Sequence, residues 1–427
     1  MTLSDTIRSV LAREILDSRG RPTVEVEVTL AGGVRAAASV PAGASRGRHE
    51  AVELRDGDPS RYRGLGVRRA VANVNEILGP AVAGLAVEDQ ADLDAALLAA
   101  DGTPDKSRLG ANALLGVSLA SARAAAVAAG VPLWRHLGGD AARVMPVPMI
   151  NLVSGGLHAG RQLDMQDFLI VPVGASSFGQ ALEMSANVHA SAAELLAERG
   201  LSVLKADEGG FAPALGSNVG VVELVLASIE RAGYEPGEDV ALAIDVAASH
   251  LFDPERELYR LEADDLILDR AGLVDLLDTW LAAYPIVSLE DVLDEDDWTG
   301  WTSEAGRLAS KVQVIGDDLF ATSLERLERG IEAGAANSIL VKINQAGTLS
   351  ETLAVVSAAQ RAGYGTVVSA RSGETEDPFI ADLAVATNAG QIKIGSLAQS
   401  ERLAKYNQLL RIEEALGEDA VLATPLR

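Results

Sequence analysis

The sequence contains no cysteine. Disulfides, thiolate metal ligands and cysteine nucleophiles are therefore excluded, and the composition fits a reducing compartment such as the cytoplasm. Positive charge is also scarce, because 36 Lys and Arg against 61 Asp and Glu give a formal net charge of −25. Nucleic acids and anionic lipid surfaces are bound through basic faces, so neither is expected as a partner. A small anionic substrate would need local cations, which a bound divalent metal would supply.

Long hydrophobic runs are missing as well. The most apolar stretch, 113–131, is interrupted by Ser118, Ser121 and Arg123 and falls short of the roughly 20 uninterrupted apolar residues of a membrane span. The first residues have neither the basic start nor the apolar core of a secretion signal. We therefore expect a cytoplasmic protein that does not enter the membrane.

The length of the chain predicts two domains, since 427 residues exceed what one hydrophobic core usually supports. Residues 23–29 alternate strictly and predict a strand with one buried face. Helical tracts follow near 67–78 and at 112–130, where a glycine ends the pattern. Strands followed by helices predict an α+β capping domain over 1–140, and the rest, 141–427, forms the second domain.

Six apolar segments in the second half each run into a charged or hydroxyl residue. These residues are Asp245, Glu290, Asp317, Lys342, Ser369 and Lys393. Buried parallel strands read as continuous apolar runs, and their carboxyl ends meet at the mouth of a closed β/α barrel. Helical segments at 323–334 and 348–363 fit the crossovers between such strands. The predicted class is α/β with a TIM-type barrel, and a doubly wound open sheet is the alternative.

Three of the strand ends are acidic. Asp245, Glu290 and Asp317 form an all-oxygen set suited to a hard cation such as Mg²⁺. Without a cation, carboxylates so close together would repel one another. The alternative is that one or two of them cap helices or pair with arginines.

Basic residues are predicted on the opposite side of the same mouth. Lys342 and Lys393 follow buried apolar residues, and a lysine whose pKa falls towards neutrality can act as a general base. Solvated salt bridges are the usual alternative. Arg371 and Ser372 precede a glycine and suit a phosphate group.

A further strand is predicted at 201–204, followed by a glycine-rich turn that holds Glu208. This carboxyl is a candidate general acid. Its neighbour Asp207 is expected to face the other side and to be structural, and the same alternation turns Lys205 away from the mouth.

The chain resembles the enolases almost from end to end. The matching motifs are REILDSRG at 13–20, GANA at 110–113, DEGG at 207–210, SLED at 288–291, GDDL at 316–319, VKIN at 341–344, SGETED at 372–377 and KYNQ at 405–408. The resemblance implies an N-terminal α+β domain on an eight-stranded barrel, assembly as a homodimer or octamer, and two Mg²⁺ ions per active site. It also implies the interconversion of 2-phosphoglycerate and phosphoenolpyruvate.

The resemblance further implies a role for each matching side chain. Lys342 would remove the proton at carbon 2, and Glu208 would assist departure of the carbon 3 hydroxyl. The first metal ion would be held by Asp245, Glu290 and Asp317, and Ser45 would help to hold the second. The substrate carboxylate and phosphate would be bound by His158, Gln166, Arg371, Ser372 and Lys393.

Four positions depart from the family pattern. Ala370 stands where enolases have an active-site histidine, and Asp167 stands where they have glutamate. In two loops, Arg46 replaces a threonine and Leu157 a polar residue.

Our hypothesis is a specialised paralogue that resembles carboxyphosphonoenolpyruvate synthase of phosphonate antibiotic biosynthesis. Ala370 would free space for an additional carboxylate, Arg46 would pair with it, and Asp167 would belong to the substrate-binding set. The alternatives are a housekeeping enolase of glycolysis and a non-catalytic binding protein derived from one.

Overall fold

The computed structural model describes residues 5–44 and 46–424. The strands are β1 (Ile7–Leu16), β2 (Pro22–Leu30), β3 (Arg35–Ser39), β4 (Val144–Met145), β5 (Val147–Ser154), β6 (Asp167–Val171), β7 (Ala241–Asp245), β8 (Phe252–Asp253), β9 (Leu258–Leu261), β10 (Leu266–Leu268), β11 (Ile286–Glu290), β12 (Gln313–Gly316), β13 (Ser338–Val341), β14 (Gly365–Ser369), β15 (Gln391–Gly395) and β16 (Val421–Leu422).

Helices cover the sheet of the first domain and surround the barrel of the second. They are α1 (Arg68–Asn73), α2 (Gly79–Val82), α3 (Gln90–Asp101), α4 (Ala111–Ala129), α5 (Leu133–Gly138), α6 (Phe178–Glu198), α7 (Asn218–Arg231), α8 (Arg270–Ala283), α9 (Trp298–Gly300), α10 (Gly306–Ala309), α11 (Leu324–Ala333), α12 (Ile343–Ala346), α13 (Leu349–Arg361), α14 (Phe379–Ala386) and α15 (Ser400–Leu416).

The first domain is an antiparallel sheet in the order β1-β2-β3, with α4 packed against β2 and β3. Its central strand follows the alternation of the sequence, because Val24, Val26 and Val28 are fully buried while Glu25 and Glu27 are half-buried. The helix can approach closely where it has Gly116, since a β-carbon there would lie 2.5 Å from Val26 Cγ2. The predicted α+β domain is thus confirmed.

The most apolar helix of the chain is α4. By length and composition alone it could cross a membrane, but 83% of its most apolar window is buried inside the protein. Ser118 and Ser121 on this helix are themselves fully buried. Such burial is typical of a helix in a protein core.

The second domain is a closed barrel of eight strands in the order β5-β6-β7-β11-β12-β13-β14-β15, which confirms the predicted α/β barrel. One strand departs from the expected parallel arrangement, because β6 pairs antiparallel with both β5 and β7. Its first residue, Asp167, lies opposite Asp245, the last residue of β7. A reversed strand therefore brings its amino end to the mouth.

The strand predicted at 201–204 is wrong. This segment has no regular structure, and its apolar residues Val203 and Leu204 are 43% and 75% exposed. An isolated bridge joins Lys205 to Phe211, and the turn between them holds Glu208. The two predicted crossover helices match α11 and α13 within one or two residues.

Candidate active site

A cavity opens at the mouth of the barrel, beside Ala44 and Glu50 of the N-terminal domain. Its walls hold most of the residues that the sequence singles out. These are His158, Gln166, Asp167, Glu208, Asp245, Asp317, Lys342, Ala370, Arg371, Ser372 and Lys393. The strand ends therefore converge as the pattern of polar termini predicts.

Lys393 on β15 links two of the three predicted metal carboxylates. Its Nζ lies 2.8 Å from Asp245 Oδ2 and 2.8 and 2.9 Å from the two carboxylate oxygens of Glu290. Burial raises the pKa of Glu290 well above its usual range, and the neighbouring Asp245 raises it further. Burial alone would lower the pKa of Lys393, but the attraction of both carboxylates outweighs it and raises the pKa.

The third metal carboxylate pairs with the other lysine. Lys342 Nζ donates to Asp317 Oδ2, and Gln345 Nε2 donates to Asp317 Oδ1 at 3.1 Å. Burial opposes the charge on Lys342, but the attraction of Asp317 prevails and raises the pKa of the ammonium. Both lysines lie at the mouth as predicted, but the predicted position opposite the metal carboxylates is wrong, because each contacts these carboxylates directly and neutralises them.

Two further aspartates adjoin Asp317. Asp291 accepts the backbone N–H groups of Asp317 and Asp318, each at 2.9 Å. Burial raises the pKa of Asp318 to about 7, helped by repulsion from Asp317. Ligand atoms of these three aspartates lie within 4.8 Å of one another, so the described residues offer a second oxygen cluster for a cation.

His158 lies between two carboxylates on the opposite wall. Its Nε2 is 3.6 Å from Glu208 Oε1, and its Nδ1 is 3.6 Å from Asp167 Oδ2. Burial disfavours the charged imidazole, but attraction by Glu208 and Asp167 prevails and raises the pKa of His158 to about 9. Burial would raise the pKa of Glu208, yet the nearby cations, His158 first, lower it.

The shortened carboxylate at position 167 is fully buried, with one oxygen facing polar side chains of β5 and the other facing His158. Asp167 Oδ1 accepts from Asn151 Nδ2 at 2.5 Å and from Ser154 Oγ at 3.3 Å. Its Oδ2 and the Nδ1 of His158 are both buried without a hydrogen bond. Burial raises the pKa of Asp167 above its usual range.

Arg371 and Ser372 at the end of β14 connect the barrel to the N-terminal domain. Arg371 forms a two-pronged ion pair with Glu50, and its Nη1 also donates to Asn344 Oδ1 at 2.9 Å. Ser372 Oγ accepts from Arg19 Nη1 at 3.1 Å. Burial opposes the charge on Arg371, but Glu50 raises its pKa far above the normal range.

Some predicted residues lie elsewhere. Arg46 is exposed, donates to the carbonyl of Glu50 at 3.2 Å and lines a separate small cavity between the domains. Leu157 is 38% exposed outside the catalytic cavity. Asp207 is exposed and does not line the cavity. Ser45 lies outside the described residues.

Sequence reasoning missed four titratable residues of the cavity. They are Glu50, His250, Asp291 and Asp318. Asp291 and Asp318 each follow a predicted metal ligand directly and lie within the SLED and GDDL motifs, and these two signals could have found them. Glu50 comes from the other domain, 321 residues from its partner Arg371.

Comparison with known families agrees with this architecture. Residues 7–137 match the model of the enolase N-terminal domain, and residues 142–425 match that of the enolase C-terminal TIM barrel domain. The chain belongs to the enolase family. Family membership makes it an enolase-type hydro-lyase, and enolases typically use Mg²⁺.

The donor atoms suit such a cation, but among the described residues the carboxylates whose ligand atoms lie within 4.8 Å of one another are those of Asp291, Asp317 and Asp318 and not the predicted trio. Asp245, Glu290 and Asp317 provide only oxygen ligands, which Mg²⁺ prefers. All three are buried, at 5% exposure or less. Burial raises the pKa of Glu290 most, and repulsion from Asp245 and Asp317, which a divalent ion would relieve, raises it further.

Proposed function

We propose that this enolase-family protein removes water from a 2-phosphoglycerate-like substrate to give an enolpyruvate ester. One observation carries the proposal: Lys342 and the pair His158–Glu208 line the same cavity, together with two of the three predicted metal carboxylates. Elimination needs a base at one carbon and a proton donor at the next. The cavity provides both kinds of group.

Lys342 is the proposed base. A general base must be neutral when it accepts the proton, whereas the attraction of Asp317 raises the pKa of Lys342. A hydrogen beside a carboxylate is weakly acidic, and Mg²⁺ bound at Asp245, Glu290 and Asp317 would supply charge that offsets both effects. The positive charge of the nearby Arg371 opposes this rise in the pKa of Lys342 without cancelling it.

The proton donor is best assigned to His158 and Glu208 together. Sequence analysis assigns this role to Glu208 alone, but the pKa of Glu208 is lowered while that of His158 is raised to about 9. At neutral pH the shared proton therefore resides on His158 in this arrangement. Glu208 would hold the imidazolium of His158 in place. It would also relay the proton from His158 to the leaving hydroxyl.

Substrate binding is assigned to the remaining polar groups of the cavity. Arg371 and Ser372 would bind the phosphate, because a guanidinium and a hydroxyl suit its oxygens. Lys393 and Gln166 adjoin the metal carboxylates, with Gln166 Nε2 3.2 Å from Asp245 Oδ2. They would bind the substrate carboxylate.

The proposed substrate is an altered one, as in carboxyphosphonoenolpyruvate synthase. Both Ala370 and Asp167 line the cavity, so two side chains that are longer in the family pattern are shortened in the wall of the proposed site. Such changes enlarge the cavity and suit a bulkier acidic group. The role proposed for Arg46 is not supported, because Arg46 lies outside this lining.

A turnover comparison by mass spectrometry tests the proposal. Purified protein with Mg²⁺ is given 2-phosphoglycerate and its carboxyphosphono analogue, and we expect faster turnover of the analogue. The variant Ala370→His is expected to shift preference back towards 2-phosphoglycerate. Faster turnover of 2-phosphoglycerate by the wild type would make the protein a housekeeping enolase. No Mg²⁺-dependent turnover of either compound would leave only a binding role.

The proposal also covers the location, the assembly and the partners of the protein. We expect a cytoplasmic homodimer or octamer that acts on a small anion and binds neither nucleic acid nor membrane. The net charge of −25 supports the last two points. Light scattering would measure the assembly.

A further inference from the structure

A fully buried arginine lies on the last helix of the barrel. Arg402 is in the first turn of α15, and its side chain is 0% exposed. Among the described residues, the only carboxylate oxygen within 4.0 Å of its guanidinium is Glu401 Oε1, which lies 3.6 Å from Nε. Nε itself makes no hydrogen bond. Buried charges are normally paired with an opposite charge, so Arg402 needs another explanation.

Backbone carbonyls at the mouth of the barrel surround this guanidinium. Nη1 donates to the Arg371 carbonyl at 2.7 Å and to the Ile394 carbonyl at 2.9 Å. Nη2 donates to the Ser372 carbonyl at 2.7 Å. Arg371 and Ser372 follow β14, and Ile394 is near the end of β15. One planar guanidinium therefore joins the ends of two adjacent strands.

The turn that holds Glu208 packs against the same strand end as Arg402. A β-carbon on Gly395 would lie 2.7 Å from the Glu208 carbonyl oxygen and 3.1 Å from Arg402 Cδ. The Glu208 carbonyl also accepts from the N–H of Ser396 at 2.8 Å. Burial would raise the pKa of Glu208, but the positive charges of His158 and then of Arg402 lower it. Arg402 is thus close to both the phosphate end of the cavity and the proton-donor end.

We propose that Arg402 is a positioning residue for the substrate phosphate. It fixes the backbone of Arg371 and Ser372, so that their guanidinium and hydroxyl meet the phosphate in one geometry. This role rests on the proposed function, because it concerns the same site. Lysine at position 402 would keep the charge but lose the planar fork that reaches carbonyls on two strands.

Arg55 in the first domain offers a matched control. Its Nη1 also joins two backbone segments, because it donates to the carbonyls of Pro22 at 2.5 Å and Leu65 at 2.7 Å. Its side chain is 20% exposed, and it does not line the catalytic cavity. Arg55→Lys therefore removes a similar fork without changing the carbonyls at the phosphate site.

Amide hydrogen exchange of the full-length protein is the first measurement, because it needs no turnover. The N–H of Ala370 donates to the Lys393 carbonyl and that of Gly373 to the Ala42 carbonyl, so this segment is protected in the wild type. In Arg402→Lys, exchange at 369–375 and 394–396 should rise by about tenfold, as expected for the loss of one charged hydrogen bond. Arg55→Lys should leave both segments unchanged.

Substrate affinity is the second measurement. In Arg402→Lys, the KM for whichever compound the wild type turns over should rise about tenfold, with a smaller change in kcat. An arginine with only a structural role would lower the stability without this rise in KM, and we expect that result for Arg55→Lys. Arg402→Gln also removes the charge near Glu208, so its kcat should fall further.

Unchanged exchange at 369–375 in Arg402→Lys would overturn the proposal, and so would equal KM values in the two lysine variants. If Arg402→Gln does not fold, the comparison of the lysine variants still decides, because Arg402→Lys keeps the buried charge. If the wild type turns over neither 2-phosphoglycerate nor its analogue, the proposed function fails. Hydrogen exchange would then still decide whether Arg402 fixes Arg371 and Ser372.

Discussion

Arg371 and Glu50 form a buried, two-pronged ion pair across the two domains, with Nη1–Oε2 at 2.9 Å and Nη2–Oε1 at 3.2 Å. Both side chains are 6% exposed. The pair fixes the position of the guanidinium that we assign to the substrate phosphate. It also holds the segment around Glu50 against the mouth of the barrel. Glu50 is therefore a positioning residue for Arg371.

The substitution Glu50→Gln should destabilise the protein and weaken substrate binding. Removing one partner of a buried ion pair leaves an uncompensated charge and typically costs about 3 to 5 kcal/mol. Urea unfolding measures the loss, and KM should rise more than kcat falls. The control is Glu25→Gln, which removes a half-exposed pair with Arg13 and should cost about 1 kcal/mol or less. Equal losses in the two variants would contradict a special role for Glu50.

Two sets of carboxylates are candidates for the cation site, and two variants distinguish them. If Asp245, Glu290 and Asp317 hold Mg²⁺, Asp245→Asn should abolish the Mg²⁺-dependent rise in Tm, whereas Asp318→Asn should retain most of it. A ligand at 100 times its Kd stabilises the folded state by about 2.7 kcal/mol, which thermal scans detect. The opposite ranking would place the ion at the aspartate cluster of Asp291, Asp317 and Asp318.

Lys342→Ala should abolish turnover without loss of the fold. A positioned base contributes roughly a hundred- to ten-thousand-fold to rate, so kcat should fall by about that factor. Lys311→Ala, which removes an exposed lysine, should leave kcat unchanged. Unaltered catalysis in Lys342→Ala would refute the assigned base.

Asp382 on α14 should make stability depend on pH. Burial raises its pKa to about 6, against about 3.9 in the unfolded chain. The folded state therefore binds the proton more tightly, and stability falls as pH rises from about 4 to about 6. Above that range the cost stays constant at about 2 to 3 kcal/mol.

Asp382→Asn removes this penalty and tests it directly. The variant should be more stable than wild type at pH 8 and similar near pH 4, as urea unfolding at each pH would measure. Glu223→Gln, a change at an exposed carboxyl, should not alter the pH profile. A wild-type profile in Asp382→Asn would mean that another group causes the slope.

The meeting of the polar residues at the strand ends could be predicted from the sequence, because parallel strands bring their carboxyl ends to one side of a barrel. Asp245, Glu290 and Lys393 accordingly meet within 2.9 Å. This rule does not predict Asp167, because β6 is antiparallel and places its first residue, not its last, at the mouth. Only the resemblance to enolases pointed to Asp167.

Other features depend on contacts that a linear pattern does not contain. The apolar residues Val203 and Leu204 suggested a buried strand, yet they lie on the surface. Glu50 reaches the site from the other domain, and nothing in its local sequence connects it with Arg371. Long-range pairing of this kind is set by the packing of the two domains.

Arg48 should control how firmly the segment next to Glu50 is held against the barrel. Its guanidinium contacts three consecutive acidic residues after β11: Nη2 lies 3.0 Å from Asp294, Nε 2.6 Å from Glu295 and Nη1 2.9 Å from Asp296. Arg48 is 58% exposed, so its contribution to global stability should be about 1 kcal/mol or less. Its effect should instead be local.

In Arg48→Ala we therefore expect faster amide hydrogen exchange at 46–52, with little change in Tm. High salt should produce the same increase in wild type, because the screening length falls to about 3 Å at 1 M. Arg231→Ala removes an exposed arginine that pairs with Glu194 and Glu198, and it should leave exchange at 46–52 unchanged. Since Glu50 lies in the same segment, looser attachment should also raise KM. Unchanged exchange in Arg48→Ala would show that Arg48 does not hold the segment in place.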